Sequence, residues 1–231
     1  MSHLERLSAD ECRYDYLSPS ELLARLQKRG ILYLPIGSLE WHNEHLPLGT
    51  DTFHAITLAH RLCNALGGVV LPAFWWNTGG CHRHQSTFYM NEEVYRQTLK
   101  NVLSGLADIP ARMVVLINGH GGGYQKDSMQ AIANELNRED FPMRVVAADP
   151  YVLGTASRCR IDHADTGETS LALELIPQLV RMKRPIGPDI LSGRMPFTEK
   201  WPPSQQSGCE LWDAFFRDAV ALIEQEYQAA C

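Results

Sequence analysis

The 231-residue chain reads as an α/β protein of three layers, with helices on both faces of a mainly parallel central sheet, in a single domain over 1–231. Three observations predict this. Apolar runs at 31–36, 69–72, 113–117 and 143–148 alternate with amphipathic stretches in the order αβαβαβαβ. The runs are continuously apolar rather than alternating, as strands covered on both faces are. The connections between runs and helices are short, and no linker divides the chain. In such a sheet, ligands sit beyond the carboxyl ends of the strands.

Each element has its own local grounds. Ser18 can cap a helix over 18–30, with Pro19 at its first position, Glu21 completing a capping box, Leu22, Leu23 and Leu26 as its stripe, and Gly30 as its stop. Ile31–Ile36 then makes a buried strand. Asp51 or Thr52 opens a helix to about Leu66, with Ala55, Leu58, Ala59 and Leu62 on one face, and Gly67-Gly68 ends it before the strand 69–72. Asn91 caps a third helix to about Leu106, with Glu92 and Glu93 in its first turn. The strand 113–117 leads through Asn118-Gly119-His120-Gly121-Gly122-Gly123 to a helix over 124–138, and 143–148 is the fourth strand. Thr166 or Gly167 starts a helix to about Val180. Residues 185–208, rich in Pro, Gly and Ser, suggest a long covering loop, and a terminal helix runs from Leu211 to about Ala229.

Composition excludes several function classes. A formal net charge of -6 with no Lys/Arg cluster speaks against nucleic acid as a partner. Met1–Asp10 has no apolar core of a secretory signal, and no apolar segment approaches the ~18 residues needed to span a bilayer. Six cysteines without a C-x-x-C pair read as free thiols of a reducing compartment. A soluble cytoplasmic protein acting on a small molecule is the expectation.

The stretch Gly37 to Asp51 concentrates the chemistry. Glu40 and His42 are two apart, so on an extended strand end both side chains point the same way. Asp51 falls where a helix begins, which equally suits a simple cap, and Glu40 and His42 alone equally suit a hydrogen-bonded pair. His120 stands among glycines that let the backbone pass close to a bulky group. The competing phosphate-loop reading lacks a Lys and the Gly-x-Gly-x-x-Gly spacing. His163 and Glu168 flank another helix start. Together Glu40, His42, Asp51, His120 and Glu168 suit two divalent cations with one carboxylate bridging, Zn²⁺ or Mn²⁺ by ligand type and Fe²⁺ as a further option. A water between two such ions loses a proton near neutral pH, and an unligated His163 is free to pass a proton to a leaving nitrogen. The loop 73–90 suggests a pocket wall, with Trp75 and Trp76 to stack on a flat heterocycle and His82 or His84 to bind its polar edge. Core packing is the alternative for the tryptophans. His45 is a substrate contact or a more distant support.

Three motifs in order resemble the creatininase (creatinine amidohydrolase) family: Gly37-Ser38-Leu39-Glu40-x-His42-x-x-His45-Leu46-Pro47-Leu48-x-Thr50-Asp51, Asn118-Gly119-His120-Gly121-Gly122, and His163-Ala164-x-x-x-Glu168-Thr169-Ser170. The resemblance implies a parallel-dominated α/β fold, two metals and hydrolysis of an amide C–N bond. By motif position it implies Glu40, His42, Asp51, His120 and Glu168 as ligands, Asp51 as the bridge and His163 as the proton-transfer residue. It also implies a homo-oligomer, often a hexamer. The chain departs from the family where substrate is chosen. Trp41-His42-Asn43-Glu44 replaces the usual Gln-His-Gly, Gly122 stands where creatininase itself has a ligand Glu, and Gln85–Met90 replaces a Phe-Pro-Gly-Thr turn. The loop 185–208 matches poorly. Creatinine is therefore disfavoured, and a cyclic amide or formamide is the leading expectation. A peptidase-like member that trims a modified precursor peptide, or an inactive ligand-binding member, are the alternatives.

Overall fold

A computed structural model describes residues 12–81, 84–149, 161–190, 192–197 and 202–230. The helices are α1 (Pro19–Lys28), α2 (Thr50–Leu66), α3 (Glu92–Ser104), α4 (Gly123–Leu136), α5 (Thr166–Leu175) and α6 (Gln205–Ala229). The strands are β1 (Ile31–Ile36), β2 (Val69–Val70), β3 (Met113–Asn118) and β4 (Arg144–Ala148). They form one sheet in the order β2-β1-β3-β4, with every pairing parallel. The expected α/β three-layer architecture is thus present. Among the described residues no helix is long and apolar enough to cross a membrane.

The two-residue period of the strands sorts side chains into two cores. Ile31, Tyr33, Met113, Val115, Ile117, Val146 and Ala148 face α2, α5 and α6. Leu32, Leu34, Ile36, Val114, Leu116 and Val145 face the opposite way, onto α1, α3 and α4. β1 and β3 are buried along their whole length, which is why their sequences carry no polar alternation. Pro35 is tolerated in this central strand because β2 has already ended beside it. The Pro35 carbonyl accepts the Phe74 N–H at 2.8 Å, and nothing there requires a donor from Pro35.

Several boundaries differ from the sequence reading, β2 ending at Val70 among them, and three have a clear physical cause. Gly49 is the N-cap of α2, so Asp51 lies inside its first turn and does not cap it. α5 stops at Leu175, because Pro177 cannot continue the helix and instead opens a short 3-10 turn, Pro177–Leu179. α6 starts six residues before Leu211, capped by Ser204, whose hydroxyl accepts the Ser207 N–H. Its first turn is polar, so apolar periodicity is silent there. The expected capping box of α1 is present, with Glu21 accepting the Ser18 N–H at 2.7 Å.

β1 and β3 end level with each other, Ile36 opposite Asn118. Two loops therefore leave the sheet side by side, joined by the Gly119 N–H to the Ile36 carbonyl at 2.8 Å. Gln125 of α4 braces both, donating to the Gly37 carbonyl and to Asn118 Oδ1, each at 3.2 Å. α5 is held by α6 through Gly208: a β-carbon there would lie 2.0 Å from the Ser170 carbonyl oxygen. Gly208→Ala is expected to push α5 and α6 apart and cost about 1–3 kcal/mol, read as a lower midpoint in urea unfolding. An unchanged midpoint would show that the two helices separate freely.

Candidate metal centre

The loop after β1 delivers Glu40 and His42, α2 delivers Asp51, the loop after β3 delivers His120, and the segment 161–168 delivers His163 and Glu168. Glu40, His42, Asp51, His120 and Glu168 are all buried at the carboxyl edge of the sheet. The organising group is the Asp51 carboxylate. Its Oδ1 lies 2.9 Å from His42 Nε2, and its Oδ2 lies 2.7 Å from His120 Nδ1. Glu168 Oε2 joins the first side, 3.5 Å from His42 Nε2. Glu40 Oε1 joins the second, 3.0 Å from His120 Nδ1. Two donor sets, His42 with Glu168 and His120 with Glu40, thus share one carboxylate.

Local interactions fix these groups. The Ser38 hydroxyl donates to Asp51 Oδ2 at 2.6 Å, and the Cys81 N–H donates to Glu40 Oε2 at 2.9 Å. The Ala164 N–H donates to Glu168 Oε2 at 2.5 Å, while Asp165 caps α5 by accepting the Gly167 and Glu168 N–H groups. Asn118 clamps the His120 backbone from both sides. Gly80 has a φ of +69°, and a β-carbon there would lie 2.2 Å from Glu40 Oε2 and 2.7 Å from His120 Cε1. Only glycine fits that conformation so close to the carboxylate.

The electrostatics fit cations. His42 Nδ1 lies 3.1 Å from the Glu40 carbonyl, which fixes a proton on Nδ1 and leaves Nε2 aimed at two carboxylates. That contact is repulsive unless a proton or a metal ion lies between. Burial opposes a charged His42, yet Asp51 and Glu168 outweigh it and hold its pKa well above the ordinary value. Burial likewise opposes a charged His120, but Glu40 and Asp51 raise it to about 10. Against the same burial, His42 and His120 hold Asp51 well below the usual carboxylate range. Three buried carboxylates thus demand positive charge at two points, and two divalent cations would supply it. His120 Nε2 is buried without a hydrogen-bond partner beside the cavity, and this polar atom is left for a water or ligand.

His163 stands apart from these five. Its side chain keeps 15% exposure, its ring stacks on Trp41 at 5.9 Å, and it lies 4.5 Å from the His42 ring. Nδ1 faces Glu40 Oε1 at 3.6 Å and Nε2 faces Cys81 Sγ at 3.3 Å. His163 is within ligating reach of Glu40 and Cys81, and of His42 and Glu168. It differs from the five in exposure: its side chain keeps 15%, while theirs keep 3% or less.

The cavity holds about 170 Å³ and is lined by Glu40, Asp51, His120, Asp162, His163 and Glu168, closed by Gly80, Gly121, Gly122 and Ile161. The residues expected as a substrate wall are placed elsewhere. His45 is buried behind the centre, bonded through Nε2 to the Thr169 hydroxyl at 2.9 Å. Trp75 packs edge-on against Phe53, because Gly49 leaves it a berth on α2. Trp76, 41% exposed, pairs with Phe88 at 4.6 Å. His84 bonds Ser86 and lies beside Trp41. None of these four lines the cavity, and His82 lies outside the described residues. Sequence reasoning missed Cys81 and Asp189 as neighbours of His163, since a lone Cys or Asp in a loop carries no spacing signal. Ser38 adjoins the motif and was open to notice.

A family model described as creatinine amidohydrolase matches residues 15–214. A creatinine amidohydrolase of Pseudomonas putida is 26% identical over 67% of this chain and 67% of its own. A 3-dehydro-scyllo-inosose hydrolase of Thermotoga maritima is 26% identical over 74% of this chain, and a mycofactocin precursor peptide peptidase of Mycobacterium tuberculosis is 29% identical over 66%. The chain spans 58% and 61% of the length of those two relatives. Among solved structures, a creatinine amidohydrolase superposes with a TM-score of 0.77 at 22% identity, covering 94% of this chain and 98% of the other. The match over residues 15–214, most of the chain, places it in the creatininase family.

Proposed function

We propose that the protein is a dinuclear metal-dependent hydrolase of an amide C–N bond in a small substrate, a cyclic amide or formamide, with His163 as the proton carrier. The observation that carries this is the Asp51 carboxylate, whose two oxygens face two separate imidazoles at 2.9 Å and 2.7 Å. Glu40, Asp51 and His120 would hold one ion, and His42, Asp51 and Glu168 the other. Structural neighbours include creatininases described as a manganese form and a zinc–zinc form, which supports Mn²⁺ or Zn²⁺ here. Bound ions supply Lewis acidity and a water acidic enough to ionise near neutral pH.

The chain's own residues do the rest. His163 borders the cavity with Nδ1 3.6 Å from Glu40 Oε1, a position from which it can take a proton and return it to a leaving nitrogen. Gly121 and Gly122 keep the floor free of side chains, and Asp162 closes one side. No Lys or Arg lines the cavity among the described residues, which favours a neutral or cationic substrate over a carboxylate. At ~30 Å³ per water, a volume of about 170 Å³ equals some six waters, room for one small ring. The mycobacterial relatives favour a second reading, trimming of a modified precursor peptide. In that case only the scissile end enters the cavity. Homo-oligomeric assembly belongs to the same proposal on family resemblance alone.

A metal-loaded sample should contain two divalent ions per chain and turn over at least one of creatinine, hydantoins, lactams or formamides. Less than one ion per chain after Zn²⁺ or Mn²⁺ addition removes the enzyme reading. His120→Ala should lose metal by elemental analysis. His163→Ala should keep both ions and lose about 10²–10⁴ in kcat, and full activity in that variant would refute its assigned role. His45 gives a pH test. Burial lowers its pKa from 6.5 to about 4, so the folded state favours the neutral ring. Its contribution to stability is complete above pH 6.5 and is lost as pH falls from there toward 4. Across that window His45→Gln should lose less stability than the parent in chemical denaturation, and an equal loss would show that His45 does not titrate on unfolding.

A further inference from the structure

We propose that Cys81, His163 and Asp189 form a third cation site behind the cavity-lining His163, selective for a thiophilic divalent ion such as Zn²⁺ or Co²⁺. Cys81 is fully buried, and its Sγ lies 3.3 Å from His163 Nε2. Asp189 Oδ2 lies 3.9 Å from the same nitrogen. Tetrahedral coordination with metal–sulfur and metal–nitrogen bonds of about 2.3 Å and 2.0 Å puts sulfur and nitrogen about 3.5 Å apart, and nitrogen and oxygen about 3.3 Å. The sulfur–nitrogen pair already has that spacing, and Asp189 would close by about half an ångström.

Asp189 is presented for this by its loop. It is 5% exposed, its Oδ1 accepts the Ser192 N–H at 2.7 Å, and Oδ2 is turned toward His163. The loop is tied to the first motif through Asn43, which donates to the Gly187 carbonyl at 2.7 Å and accepts the Gly187 N–H at 3.2 Å. Trp41 packs against the outer face of the His163 ring. Trp41 and the Asn43-tethered loop that carries Asp189 thus both reach this imidazole.

Sulfur ligation distinguishes this site from the two ligand sets that share Asp51, which consist of carboxylates and imidazoles. An ion here occupies the His163 Nε2 lone pair and so halts proton transfer. That consequence rests on the proposed role of His163, whereas the site itself does not. The test is titration of the Mn²⁺-loaded protein with Co²⁺, following near-ultraviolet absorption and metal content. The expected result is one further equivalent of cobalt with a sulfur-to-cobalt charge-transfer band. Cys81→Ser should lose the band and keep its manganese, and Asp189→Asn should weaken cobalt binding at least about tenfold. Cys12, whose Sγ lies 3.5 Å from His60 Nδ1, is the control, and Cys12→Ser should keep the band. Absence of the band at saturating cobalt, or its survival in Cys81→Ser, overturns the site. Either result leaves the dinuclear centre standing if two ions remain bound, which separates the two proposals.

Discussion

Three carboxylates buried together at the end of a parallel sheet are the constraint on which the rest of the structure depends. An unpaired buried carboxylate carries a desolvation penalty of several kcal/mol, so Glu40, Asp51 and Glu168 need compensation at close range. Asp51 makes the problem specific, because its two oxygens face in two directions and each meets an imidazole. The hydrogen bonds from Ser38, Cys81 and Ala164 satisfy the outer lone pairs and leave the inner ones converging on two points. A fold that kept this arrangement without cations would hold protons on His42 and His120 instead. In either case, positive charge at two points is built into the design.

Parallel pairing supplies the placement. Because Ile36 and Asn118 end opposite each other, the loops bearing His42 and His120 begin from one level. Gln125 then fixes their spacing from the helix behind. α2 enters this edge with Asp51 in its first turn, where the free N–H groups favour a carboxylate. α5 does the same for Glu168, with Asp165 as its cap. Two helix starts and two strand ends thus meet at one point, and the apolar faces that hold them are the two cores on either side of the sheet.

Much of this was legible in the chain. β1 falls where its apolar run falls, and the five expected donors converge because each sits next to a strand end or a helix start that local signals mark. The failures have physical causes. α6 begins at Gln205 on a polar first turn, so its apolar stripe starts only at Leu211, although Pro203-Ser204 was a readable start signal. Pro177 likewise marked the end of α5 before Val180. The substrate wall was not legible, because an aromatic or histidine on a loop points wherever tertiary packing allows. Trp75 turned onto α2 and His45 turned inward to Thr169. Cys81 and Asp189 reach His163 across the fold, and no local pattern encodes such a meeting.

The strand order carries a kinetic consequence. β1 pairs with β3 rather than stopping at its sequence neighbour β2, and the donors run from Glu40 to Glu168. No pair that shares an ion, apart from Asp51 with its nearby motif, can approach before the long parallel pairing has closed. The centre is then among the last features to assemble during folding. Ions captured at that stage stabilise the native state but not the transition state leading to it. Their effect falls on the rate of unfolding, so the loaded protein persists longer without folding faster.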